Sequence, residues 1–165
     1  MTWRGFRGAE LAFWAIWLGA LWFMAILVAP GLFKWLPRPE AGLVAGRLFY
    51  MLALYSLVSS AVLLALSNFA GELRASLRLS GLMAVILAVS VIELTWLQPH
   101  MNAMRTTMAG LQGDELAAMR SQFGNMHAIS SVLYSVKMIG ALVWGLNRFG
   151  VKKVQQAGVD SEGLT

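Results

Sequence analysis

The sequence predicts an all-α integral membrane protein, a four-transmembrane-helix bundle whose second and fourth helices extend beyond the bilayer. Three observations carry this. The chain of 165 residues is 58% hydrophobic and 13% charged, and a water-soluble domain carries roughly a quarter charged residues. Its apolar residues are gathered in four runs near the roughly 20 residues that a helix needs to cross hydrocarbon. Inside those runs there are no turn signals.

The first span is Glu10 to Val28, rich in Trp14, Trp17 and Trp22 and ended by Pro30. It is too long for the apolar region of a signal peptide, and a cut after Ala29 would leave Pro30 at the new terminus, so it reads as uncleaved. The second span is Phe49–Phe69. The third runs from Leu79 to Leu97 and is stopped by Pro99; the fourth covers Ala128 to Leu146. Pro39 and Glu40 have the character of a first helical turn, so the second helix begins ahead of its span. Gly113 as breaker, Asp114 as N-cap and Glu115 in the first turn do the same for the fourth. A helix from Asp114 to Leu146 is about 50 Å long, several turns more than a bilayer needs. Both halves of the chain thus follow one order: apolar span, proline, loop, acidic helix start, long helix. Residue by residue, the similarity is too thin to define a repeat. The organisation is an N-terminal tail (1–8), a single four-helix domain (9–148) and a polar, flexible tail (149–165).

An even number of spans leaves both termini on one side. Arg4, Arg7, Arg74, Arg78, Arg148, Lys152 and Lys153 lie there, against Lys34, Arg38, Arg47, Arg105 and Arg120 on the other. Seven against five favours cytoplasmic termini and a multi-pass protein of the bacterial inner (plasma) membrane. The net charge of +5 flanks apolar segments, which suits a lipid bilayer as partner and argues against nucleic acid. A homo-oligomer or a membrane-protein partner could use small-residue faces at Ser59, Ser60 and Gly81. The absence of cysteine excludes disulfides, thiolate metal sites and cysteine nucleophiles. With two histidines, an all-protein zinc site is not expected.

Three sets of residues could carry chemistry. Arg120, Phe123 and His127 stand at i, i+3 and i+7 on one helix face, continued by Ser130, Ser131 and Tyr134. An imidazole at that interface can anchor the helix, titrate, bind a metal or ligate haem. Met101, Met104 and Met108 repeat the same spacing beside His100; thioethers with imidazole suit Cu(I), and methionine equally fills apolar crevices. Glu93 and Lys137 lie inside the third and fourth spans, where ionisable groups face the bundle interior with a partner. They form either a neutralising structural pair or a proton- or ion-handling site.

The runs "LPRPEAGLVAGRLF", "WLQPHMNAMR" and "RSQFGNMH" resemble the transmembrane protein 205-like family, a domain of unknown function, over about residues 10–147. Its most specific element, Arg-x-x-Phe-x-x-x-His, is matched by Arg120, Phe123 and His127. Trp96, Leu97 and Pro99 match the end of the third span. Leu36, Pro37, Arg38, Gly42, Leu43, Leu48 and Phe49 match the first connection. His100 departs from the pattern, where an arginine can stand. The resemblance implies four helices, with fold-level analogy to membrane families that handle copper or make haem. The expected role is a non-enzymatic membrane component (a small transporter, metal-handling or assembly protein) with a site at the outer face near His127. The alternative is a haem-binding membrane redox protein or enzyme. His127, Arg120 and Phe123 would hold the cofactor, haem b or copper, and His100, Met101 and Met104 would hold copper.

Overall fold

The computed structural model describes residues 3–69 and 76–150, with side chains from position 7 onward except at position 69. The predicted flexible tail therefore lies outside the described residues beyond position 150, as do Arg74, Lys152 and Lys153. The elements are α1 (Trp3–Phe23), a π-helical turn (Met24–Val28), α2 (Ala29–Trp35), α3 (Arg38–Phe69), α4 (Leu77–Ile92), a second π-helical turn (Glu93–Leu97), α5 (Gln98–Met108) and α6 (Gly113–Phe149). Four continuous helical rods result, each long and apolar enough to cross a membrane. The chain is a multi-pass membrane protein. The rods pack in a ring, α1 on α3, α3 on α4, α4 on α6 and α6 back on α1.

Pro30 and Pro99 do not end their helices as the sequence suggested. A proline has no N–H to offer and its ring crowds the carbonyl four residues back. In both rods the preceding turn widens instead: Ala29 N–H donates to Met24 O, and Gln98 N–H to Glu93 O, five residues back. The widened turn accommodates the ring and the helix runs on. All four rods are thus extended, not the second and fourth alone. The two devices are in one register: Met24 to Glu93 and Pro30 to Pro99 are both 69 residues apart.

The two long helices begin differently. α3 has Glu40 in its first turn, as expected. Asp114, expected as the N-cap of α6, lies inside the first turn with Glu115, where both complement the helix dipole. The chain turns into α6 at Gly113, whose φ of 61° suits glycine.

The core is built from Trp17, Leu21, Leu63, Met83, Ile86, Ala141 and Trp144, all without exposed surface. Lipid is as apolar as this interior, so the rods are held by close packing and by polar contacts rather than by escape from water. Gly140 lets Ile86 approach α6: a Cβ there would stand 3.1 Å from Ile86 Cδ1. Ser56, Ser59, Ser60, Ser67 and Ser90 are buried. Ser60 Oγ donates to Ser56 O at 2.7 Å, Ser90 Oγ to Ile86 O at 3.0 Å, and Trp17 Nε1 to Ser56 Oγ at 3.2 Å. Ser59 and Ser60 are therefore interior, not the oligomer face suggested by their size; Gly81 is exposed. Outward, Ile16, Phe23, Leu27, Met51, Val132 and Ile139 are exposed, as a lipid-facing surface requires.

At the end where α1 starts, Arg148 on α6 grips Glu10. Its Nε donates to Oε1 at 3.1 Å and its Nη2 to Oε2 at 3.3 Å. The fork geometry fixes the first and last rods against each other. The same end holds Ser80 Oγ on Asn68 Oδ1 at 2.9 Å, joining α3 to α4.

Candidate functional site

At the opposite end, beyond the π turns, the four rods part. The opening follows from the sequence of α3, where Ala41, Gly42, Ala45 and Gly46 leave little side chain to fill the gap. α2 and α5, redirected by their π turns, and α6 complete the walls. The crevice encloses about 580 Å³. Phe33, Phe49, Met101, Phe123 and Met138 supply an apolar lining; Arg38, Gln98, Arg105, His127, Tyr134 and three serines supply polar groups.

Of the residues singled out by the sequence, Phe123 and His127 line this crevice, their rings nearly parallel (4°) with centroids 6.4 Å apart. His127 is exposed at the rim. Arg120, one to two turns further out on α6, is exposed and does not line it. The face predicted for α6 does continue inward through Ser130, Ser131 and Tyr134. Tyr134 spans the bundle: its hydroxyl donates to Leu21 O at 2.5 Å, and its ring meets Phe49 edge-on at 5.4 Å.

The proposed copper set is divided. Met101 is buried and lines the crevice, whereas Met104 is half-buried outside it. His100 is exposed, with Nδ1 2.7 Å from Trp96 O and its ring 5.2 Å from the indole. Among the described residues no group of three or more His, Cys, Asp or Glu side chains is poised for a metal.

Glu93 and Lys137 are brought together. Lys137 Nζ donates to Glu93 Oε2, and both side chains are almost wholly buried. The pair lies beside the inner end of the crevice: Lys137 falls between the lining residues Tyr134 and Met138 on α6, and its Nζ lies 5.6 Å from the Tyr134 ring. Glu93 is the first residue of the second π turn.

Two charged residues of the crevice escaped the sequence reading. Arg38 and Arg105 were counted as loop charges that set topology. Arg105 lies over the Phe123 ring, its guanidinium carbon 5.2 Å from the centroid, and its Nη1 donates to Asn102 Oδ1 at 3.0 Å. The backbone of Gly46 is what admits it, since any Cβ there would run into the guanidinium. The spacing Met101, Arg105 at i, i+4 was the available signal: it puts the arginine on the same inward face as the buried methionine. Gln98, also buried in the wall, follows directly from the phase set by the π turn.

Comparison with known proteins adds one match. A family model described as a domain of unknown function (DUF4149) matches residues 12–109, from within α1 to the end of α5. No curated protein and no solved structure matches the chain.

Proposed function

The chain belongs to the DUF4149 family, a domain of unknown function, and from that premise we propose that it is a non-enzymatic membrane protein that binds a small molecule in the crevice at the proline end of its bundle. One observation carries the reading: a space of about 580 Å³, within the range of small-molecule pockets, is walled by all four rods. The resemblance to the transmembrane protein 205-like family, most specific at Arg120, Phe123 and His127, supports the same location through the two of the three that line the crevice, Phe123 and His127. So does the placement of polar groups, which converge on an otherwise apolar lining as ligand sites do. A small transporter or carrier is the form that best suits a ligand site walled by segments that follow π turns.

The proposed setting is the bacterial inner membrane with cytoplasmic termini and the crevice outward. The seven basic residues on the side of the termini against five on the other support this orientation. A C-terminal green fluorescent protein fusion is expected to fluoresce and a C-terminal alkaline phosphatase fusion to be inactive; the reverse pattern would turn the crevice toward the cytoplasm.

Binding is tested by native mass spectrometry of protein released from non-ionic detergent. The wild-type chain is expected to carry an adduct of reproducible mass, and Ser131→Trp, which fills the crevice from α6, is expected to lose it with an unchanged elution profile. Bare wild-type protein, or the same adduct on Ser131→Trp, would sink the reading. A second reading, a haem-binding membrane redox protein with His127 as axial ligand, draws on one observation: the imidazole of His127 and the thioethers of Met101 and Met138 line the same space. A Soret band that His127→Ala removes would establish it, and a colourless protein from haem-replete cells would dismiss it.

A further inference from the structure

Resting on that reading of the crevice as a ligand site, we infer that its ligand is an anionic amphiphile: a carboxylate or phosphate head on an apolar body. The sign of the charge comes first. The lining includes two arginines and His127, and no aspartate or glutamate. The ion pairs among the described residues are Lys137–Glu93 and Arg148–Glu10, so neither Arg38 nor Arg105 is neutralised by a carboxylate. Two guanidiniums with no carboxylate partner, the half-buried Arg105 and the exposed Arg38, repel metal cations and favour an anion, and Arg105, beside the apolar lining, does so more strongly than it would in water.

Their placement costs the protein something, which argues that it serves a purpose. Arg38 is the first residue of α3, where the helix terminus already carries partial positive charge and a cation is disfavoured. Arg105 is drawn inward over Phe123 when it could extend into water, and Gly46 is shaped to receive it. A guanidinium offers five N–H donors in a planar fork. Arg105 spends one on Asn102 Oδ1, leaving the others for the paired oxygens of a carboxylate or phosphate.

The apolar body follows from the depth of the crevice. Below the arginines the walls are Phe49, Met101 and Met138, with Ala25 and Ala29 on the first rod. Methionine adapts to chains of varied shape. Deeper polar contact comes from the buried Gln98 amide and from hydroxyls that are already engaged: Tyr134 donates to Leu21 O, and Ser135 Oγ to Ser131 O at 2.8 Å. A fully hydrated ion would strand this lining; a head with an alkyl or aryl tail fills both parts. Such a head can come from a membrane lipid or from a soluble organic acid, and the two share this recognition chemistry.

The test uses the full-length protein in non-ionic micelles with 11-(dansylamino)undecanoic acid as fluorescent probe and the matching undecanol as its uncharged control. The acid is expected to bind at least tenfold more tightly than the alcohol. Arg105→Gln and Arg38→Gln are each expected to weaken the acid about tenfold and leave the alcohol unchanged. Gly46→Ala, which keeps every charge but dislodges the Arg105 guanidinium, is expected to act in the same direction as Arg105→Gln. Displacement of the probe by phosphatidylglycerol at lower concentration than by decanoate assigns a lipid source, and the reverse order a soluble acid; either supports the assignment. Equal affinity for acid and alcohol, or indifference to both arginine variants, overturns the anionic ligand while leaving a binding crevice in place. Failure of every probe to bind overturns the ligand site along with it.

Discussion

Glu93→Leu alone is expected to destabilise the protein by about 3–5 kcal/mol, the range for breaking a buried ion pair by removing one partner. The loss is not that of the attraction between Lys137 and Glu93. It is the cost of leaving the Lys137 ammonium in the middle of the bundle with no countercharge. Lys137 is 1% exposed, so water cannot replace the carboxylate, and the Tyr134 ring 5.6 Å away offers only the weak attraction of a π face. Snorkelling to the interface is open to a lysine near a helix end; Lys137 is twelve residues from the end of α6. Glu93→Leu/Lys137→Met, which removes both charges, is expected to recover most of the loss, since an apolar pair of similar volume is tolerated where an ion pair was. Thermal unfolding in micelles for the wild type, both single variants and the double variant completes the cycle. A double variant as unstable as the singles would mean that the pair does more than neutralise itself, and would direct attention to ion or proton handling at this depth.

Gly145→Leu is expected to be nearly as damaging, for a steric reason. The Trp14 indole of α1 lies against the backbone of Gly145, where a Cβ would overlap the ring. The ring has little freedom to retreat. Its Nε1 donates to Ala141 O at 2.8 Å, one turn along α6, and its ring centroid is 5.6 Å from that of Phe149. Gly145→Ala is expected to cost about 1–3 kcal/mol, as overpacking does, and leucine more. The Arg148–Glu10 fork, a turn away, would be pulled apart with α1. Combining Gly145→Ala with Trp14→Leu should return part of the stability; unfolding midpoints that stay low in the combination would place the damage elsewhere than at this contact.

The four rods were legible because the run length, composition and lack of breakers in a membrane span are local properties. The prolines misled because their usual consequence was avoided by one widened turn, a feature with no local composition of its own. Glu93 and Lys137 could be matched in sequence because each is conspicuous in an apolar run. Glu10 and Arg148 could not: each sits at the edge of a span, where a charge is unremarkable, and 138 residues separate them. The crevice was half legible. Phe123 and His127 share a helix face and announce it, whereas Arg38 and Arg105 come from different rods and resemble ordinary interfacial charges. Ser59 and Ser60 show the converse limit, since a small polar residue suits an internal contact and an external one equally.

A π turn holds one residue more than the α-helical turn it replaces, so each proline-bearing rod can be regarded as an α-helix that has gained a single amino acid. Every position beyond that insertion is rotated by about 100°. Removing Thr95, exposed and inside the second π turn, would restore ordinary winding and swing Gln98, Met101 and Arg105 together out of the crevice, without altering any of them. The inserted residue thus acts as a phase setting for the wall, and an equivalent setting stands 69 positions earlier on the first rod.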